Sequence, residues 1–412
     1  MTIQILKEGS VTSAAGFLAS GMHAGIKPIK RKYDCSLIYS ERSAVSAGVF
    51  TINKAKAWPL VYDETVIHRP AHRAILANSG NANCFNGVSG QKTVKMSLKT
   101  LSSKLKIKSK EILLASTGII GRPFPIEKLR AAIPVLVKQL SKEGANDSAR
   151  GILTTDTIPK EIAVRFRISG KTVTLGGIAK GSGMVYPHMV LPQNGKKHAT
   201  MLAFLTTDLS ISKSMLKKAL ISVTNQTFNN IAIDNDISTN DMVIVLANGF
   251  AKNPKITKED ASFDTFVKAL YTVSSYLSRE MVKDGEGVQH VCEIRIKGAK
   301  TNEDARKAAK QIATSMLVKT MLTGEDPNWG RVVAAVGASR VDFSKTLDVS
   351  FDGIYILKNG RYLVHNKTKM RRVLHKKEFV LQVNLKKGSG EETFLTTDLT
   401  KFYVWINSTY SS

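Results

Sequence analysis

The pair Ala199-Thr200 offers the sharpest chemistry in this sequence. A threonine after a small residue, opening the apolar run Met201-Leu202-Ala203-Phe204, is compatible with self-cleavage. Its Oγ attacks the preceding carbonyl, an ester forms, and hydrolysis leaves Thr200 as a new N-terminus. The freed α-amine, with a reference pKa of about 7.7–8.0, then acts as base for its own hydroxyl near neutral pH. One threonine among many is a weak signal by itself, so the other polar segments must be weighed with it.

Ala115-Ser116-Thr117-Gly118 follows the apolar Ile112-Leu113-Leu114. A glycine N–H beside a hydroxyl is the pair needed to hold a developing oxyanion, although the same tetrapeptide also makes a plain turn. Asn78-Ser79-Gly80-Asn81-Ala82-Asn83, after Ala74-Ile75-Leu76, reads most simply as a strand running into an Asx-bonded loop. Thr154-Thr155-Asp156-Thr157 and Lys180-Gly181-Ser182-Gly183-Met184 are further polar clusters. Lys180 suits a substrate carboxylate, or is simply a lysine on a flexible turn. It lacks phosphate-loop spacing, so nucleotide binding is not supported. Asp234-Asn235-Asp236-Ile237-Ser238-Thr239-Asn240-Asp241 has three carboxylates but neither the central glycine nor the distal glutamate of a calcium loop. Asp284-Gly285-Glu286-Gly287, Asp326-Pro327-Asn328-Trp329-Gly330-Arg331 and the tail Ile406–Ser412 read singly as turns or a frayed end.

The elements that must position these residues alternate in type, which predicts a mixed α/β (α+β) protein. Helical stripes are expected at Val94, Leu98, Leu101, Leu105, at Ile126, Leu129, Ile133, Leu136, Leu140, and at Ala305, Ala308, Ala309, Ile312, Met316. Pro134 should kink or interrupt the second. Strands are expected at Val164, Phe166, Ile168 with Arg165 and Arg167 opposite, at Cys292, Ile294, Ile296, and at Phe379, Leu381, Val383, Leu385. Asn359-Gly360 is a hairpin signal. At 412 residues the chain exceeds one ordinary core. We expect a main domain over 1–284 and a smaller C-terminal domain over 285–412.

Sixty Lys+Arg against 33 Asp+Glu give a formal net charge of +27, which favours anionic partners. The lysines are scattered and no zinc-finger or aromatic RNA-binding signature accompanies them, so nucleic acid is not expected as the primary partner. Cys35, Cys84 and Cys292 show neither disulfide-framework nor metal spacing. With no signal-peptide pattern and no membrane-length apolar run, the expectation is a cytoplasmic protein without a membrane partner.

Taken in order, Ala77-Asn78-Ser79-Gly80-Asn81-Ala82-Asn83, Ser238-Thr239-Asn240-Asp241 with Leu246-Ala247-Asn248-Gly249, Asp326-Pro327-Asn328-Trp329-Gly330-Arg331 and the closing Ile406-Asn407 resemble the ornithine acetyltransferase (glutamate N-acetyltransferase) family. The resemblance spans nearly the whole chain. It implies a precursor cut between Ala199 and Thr200 into an α chain (1–199) and a β chain (from 200), assembled as α2β2. It also implies a layered αββα-type fold, shared with self-cleaving aminopeptidases, with a smaller α/β C-terminal domain. The implied work, in arginine biosynthesis, is acetyl transfer from N2-acetylornithine to glutamate, releasing ornithine, with acetyl-CoA as a second donor in some members. No metal or cofactor is implied. Thr200 would be the nucleophile, Thr117 and Gly118 the oxyanion hole, and Thr154, Lys180, Thr200, Glu286, Asn407 and Ser412 the substrate contacts.

Two departures stand out. Val190–His198 reads as an insertion before the scissile bond, a floppier approach that could slow cleavage although processing is still expected, and Gly287-Val288-Gln289-His290 places a histidine at a usual lysine. The rival readings are a related N-terminal-nucleophile amidase or aminopeptidase and an uncut, inactive relative.

Overall fold

The computed structural model describes residues 2–51, 53–191 and 201–409. Ala199, Thr200, Ser412 and most of the Val190–His198 insertion lie outside the described residues. The described chain forms two compact units, one from residues within 1–229 and 236–281, the other from 230–235 and 282–409.

The first unit is organised by the 17-residue strand Cys35–Thr51. Its first half pairs with Phe17–Met22 and His72–Asn81, its second with Met242–Ala247 and Met189–Val190, and the register shifts between Tyr39 and Ala44. The strand therefore serves two leaves of one sheet. One leaf continues from His72–Asn81 to the parallel Ile112–Ile119. The other runs from Met242–Ala247 through Leu202–Thr207 and Lys171–Lys180 to Lys160–Ile168.

Period-two alternation decides which side chains fill which layer. Ile75, Ala77, Leu113 and Ala115 join Ile178, Leu202, Phe204, Ile244 and Leu246 in one core between the leaves. Their neighbours Ala74, Leu76, Ile112 and Leu114 point the other way, onto Val94, Leu98 and Leu101 of the helix Gly87–Leu105 and Leu129, Ile133 and Leu136 of Ile126–Lys138. Behind the second leaf lies Ala261–Lys283. At Gly177 a Cβ would meet Leu205, Val273 and Leu277, so glycine lets that helix close on the strand. Helices, leaf, core, leaf and helix give the αββα order.

The second unit holds a seven-stranded sheet ordered Ile231–Ala232, Gly390–Thr397, Val291–Ala299, Glu378–Asn384, Asp348–Phe351, Ile354–Lys358, Arg361–Tyr362. The buried Ala305, Ala308, Ala309 and Ile312 of Asn302–Ala313 bring that helix onto its strands. Asn359 (φ 50°) and Gly360 (φ 73°) both lie in the left-handed region between paired strands, as the hairpin signal required.

Two local expectations need correction. Helix Ile126–Lys138 runs through Pro134 uninterrupted, because the proline sits near its C-terminal end and removes a single ladder bond. Met316 is not part of the alanine stripe. Thr314 ends that helix, Ser315 caps the next by accepting from the Val318 N–H at 3.3 Å, and Met316 is 67% exposed.

Candidate active site

Thr117 and Gly118 close the strand Ile112–Ile119. Thr117 is buried, and Gly118 has φ +124° with no room for a side chain, since a Cβ would lie 2.5 Å from the Gly80 carbonyl carbon. The neighbouring strand reaches this point with a bulge between Gly80 and Asn81. Polar side chains stabilise that irregular end. Ser116 Oγ donates to Asn78 Oδ1 at 2.6 Å, Asn78 Nδ2 to the Asn81 carbonyl at 2.8 Å, and Ser79 Oγ to the Gly151 carbonyl at 2.7 Å. Asn240 reaches in from the Ser238–Asp241 segment, its Nδ2 donating to the carbonyls of Ala82 (2.9 Å) and Ser116 (2.7 Å). These asparagines thus hold the backbone that carries Thr117 and Gly118. The simpler turn account understates them.

Lys180 is the last residue of Lys171–Lys180 and is 2% exposed, a buried group and not a lysine on a flexible turn. Its Nζ donates to Thr154 Oγ1 at 2.8 Å and, more weakly, to Thr117 Oγ1 at 3.4 Å. Strand register brings Leu202 opposite Lys180, and Met201 accepts from the Met242 N–H at 2.9 Å. The described chain beyond the predicted scissile bond therefore starts beside Lys180.

Beneath this cluster lies Asp156. Its Oδ1 accepts from Lys160 Nζ at 2.8 Å and from the Gly181 N–H at 2.8 Å. Its Oδ2 accepts from the Thr154 N–H at 3.1 Å and stands 3.9 Å from Lys180 Nζ. Burial alone would push the Asp156 carboxyl up, but Lys180, Lys160 and these hydrogen bonds together hold it well below the usual carboxylate range. Lys27 lies in the same field, donating to the carbonyls of Tyr33 (2.7 Å) and Leu153 (2.6 Å), and burial lowers its ammonium to about 8 against the pull of Asp34. The neighbouring Asp241 carboxyl is pushed well above its ordinary value by burial. A cationic group flanked by two hydroxyls can bind a carboxylate and an adjacent carbonyl oxygen.

Glu286 and Asn407 belong to the second unit, where Asn407 Nδ2 donates to Glu286 Oε2 at 2.8 Å. Gly287 (φ +69°) permits this loop to pack on the helix Lys401–Thr409, because a Cβ there would come 2.5 Å from the Tyr403 nitrogen. His290 is a packing residue. It is buried, its Nδ1 bonds the Lys376 carbonyl at 2.9 Å, and its ring leans on Phe379.

Sequence reasoning missed Lys27 and Lys160, which carry no motif, and gave Asp156 and Asn240 no role within their segments. Other polar residues are framework. Thr207 Oγ1 donates to the Thr174 carbonyl at 2.8 Å, and Asp208 accepts from the Thr174 and Ala15 N–H groups at 2.8 and 3.2 Å. Among the described residues no group of three metal-ligating side chains occurs, and no helix is long and apolar enough to cross a membrane.

Fold and cluster together describe a layered α/β protein that gathers a buried lysine and two threonine hydroxyls at the end of an inter-leaf strand. The chain belongs to the ArgJ family, whose match covers residues 18–412. It is 42% identical over 412 residues to the arginine biosynthesis bifunctional protein ArgJ of Caldanaerobacter subterraneus, with 98% of each chain covered. It is 43% identical over 417 residues to the glutamate N-acetyltransferase of Methanocaldococcus jannaschii, covering 98% of this chain and 99% of that one. A crystal structure of the arginine biosynthesis bifunctional protein ArgJ from Bacillus halodurans is similar at 38% identity and a TM-score of 0.50. All of that solved chain is matched, across 51% of this one.

Proposed function

We propose that this enzyme is an acyltransferase of arginine biosynthesis that moves an acetyl group from N2-acetylornithine to glutamate. The observation that carries the reading is its near-full-length relation to a glutamate N-acetyltransferase at 43% identity. The clustering of Thr117, Thr154 and Lys180 supports it. Self-cleavage at Ala199-Thr200 is part of the proposal. A crystallised relative that matches completely yet spans only half of this chain is what a cut precursor provides.

In this mechanism Thr200 Oγ attacks the acetyl carbonyl while the Thr200 α-amine takes the hydroxyl proton. Thr117 and the Gly118 N–H stabilise the tetrahedral oxyanion; one such donor is worth about 3–4 kcal/mol in other enzymes. The C–N bond breaks, the α-amine returns its proton to the departing ornithine amine, and an acetyl-threonine ester remains. The glutamate amine attacks that ester and regenerates Thr200, a ping-pong cycle. Lys180 holds the substrate α-carboxylate, with Thr154 beside it. Glu286, Asn407 and Ser412 are the remaining proposed substrate contacts, Glu286 serving the ammonium end of ornithine or an orienting role. The roles are filled by protein groups, and the assembly is α2β2.

Intact-mass measurement tests the cut: two fragments are expected, the second beginning at Thr200. Incubation with acetylornithine should add one acetyl group to that fragment, and glutamate should remove it as N-acetylglutamate. Acetyl-CoA offered in parallel decides whether it is also a donor. An uncut chain that transfers acetyl at full rate, or acetyl loss indifferent to glutamate, refutes the scheme.

A further inference from the structure

The buried carboxylate below the transfer site has no part in the bond-making steps, yet it contacts both the Thr154 and the Lys180–Gly181 segments. Asp156 Oδ2, the Thr154 N–H, Thr154 Oγ1 and Lys180 Nζ close a ring, with contacts of 3.1 Å (N–H to Oδ2), 2.8 Å (Nζ to Oγ1) and 3.9 Å (Nζ to Oδ2). Asp156 Oδ1 meanwhile fixes the backbone just after Lys180 through the Gly181 N–H and engages Lys160 Nζ, each at 2.8 Å. The Asp156 and Lys160 side chains are fully buried and that of Lys180 is 3% exposed. So long a lysine side chain is costly to fix in place, and a carboxylate with four contacts fixes it in one geometry.

We propose that Asp156 is the positioning residue of the acetyl-transfer site, holding Thr154 and Lys180 in register and keeping Lys180 charged, with Lys160 as the competing cation that tunes its pull. The inference rests on the transfer reading above. The ionisable groups around Lys180 include Asp156, Lys27 and Asp241, and Lys160 reaches the same carboxylate from four residues beyond Asp156.

The shared carboxylate has a consequence that plain scaffolding lacks: the two lysines respond in opposite directions. Removing the negative charge with Asp156→Asn disfavours the charged form of Lys180. Removing the competitor with Lys160→Met takes one cation off Asp156 and one positive charge from the neighbourhood of Lys180, and favours that form. The experiment is kcat and KM for acetylornithine against pH in the cut enzyme, together with NMR titration of 13Cε-labelled lysines in the same proteins. In D156N the alkaline limb of kcat/KM should fall by about one to three pH units, the range for loss of an adjacent opposite charge. The change should sit mainly in KM. In K160M the limb should move upward, and the double variant should lie between the two.

The NMR titration reads the same displacements without turnover, so absence of wild-type transfer sinks the transfer reading while the lysine titrations still judge Asp156. Should D156N fail to fold, K160M alone decides. A uniform loss of rate at every pH, or a Lys180 titration unmoved by either substitution, overturns the proposal.

Discussion

Replacing Asn240 by alanine tests whether the Ser238–Asp241 segment builds the site from a distance. Only a donor can face two carbonyls, so the groups at 2.9 Å (Ala82) and 2.7 Å (Ser116) orient the amide with its nitrogen toward them. Alanine removes both hydrogen bonds in a region where Asn240 is 2% exposed, leaving two buried carbonyls without that donor. Each such loss costs about 1–3 kcal/mol, so N240A should lose roughly 2–6 kcal/mol of stability. At about 2–4 °C per kcal/mol, Tm should drop on the order of 4–24 °C. Because Ser116 precedes Thr117 on the same strand, kcat should fall beyond what the unfolded fraction explains. Asn240→Asp is the sharper control: it keeps the shape, turns an acceptor on two acceptors, and should be worse than alanine. Calorimetry and initial rates at a temperature well below both transitions separate the two effects. A Tm within 2 °C of wild type with unchanged kcat would refute this account of the segment.

Thr117→Val deletes one hydroxyl without changing shape; kcat should fall about a hundred- to a thousandfold with Tm nearly unchanged, and a fall below threefold would remove Thr117 from the oxyanion role. Thr200→Ala should leave one uncut chain on a denaturing gel and abolish transfer. Asp63 provides a pH test. Burial pushes its carboxyl well above the ordinary value, while its Oδ1 accepts the Leu114 N–H at 2.9 Å. The unfolded chain releases this proton above about pH 3.9, the folded one keeps it, and stability therefore falls as pH rises from there, by up to about 1.4 kcal/mol per unit. Asp63→Asn should remove that slope, and urea midpoints that decline as steeply in the variant between pH 5 and 7 would contradict it. Asp156 has the opposite sign: its stabilisation is present above about pH 3.9 and lost as pH falls through its depressed folded value.

Local pattern determined a good deal. The alternation Val164, Phe166, Ile168 buried against Arg165 and Arg167 exposed is a property of five neighbouring residues, and the Asn359-Gly360 turn is equally local. The ordered motifs were enough to place the chain in its family, since each is short and contiguous. The Met316 assignment failed because a helical period continues on paper through Thr314-Ser315, where capping starts a new helix. What only tertiary structure decided is the company each polar residue keeps. Thr117 and Lys180 are 63 residues apart in sequence and Thr154 and Lys180 are 26 apart, and only the packing of the two leaves and of the loop before Lys160–Ile168 brings them together. Asp156, Lys160 and Asn240 acquire roles only there. A buried carboxylate or amide is defined by its partners, and a linear pattern encodes distance along the chain while their energy depends on distance through space.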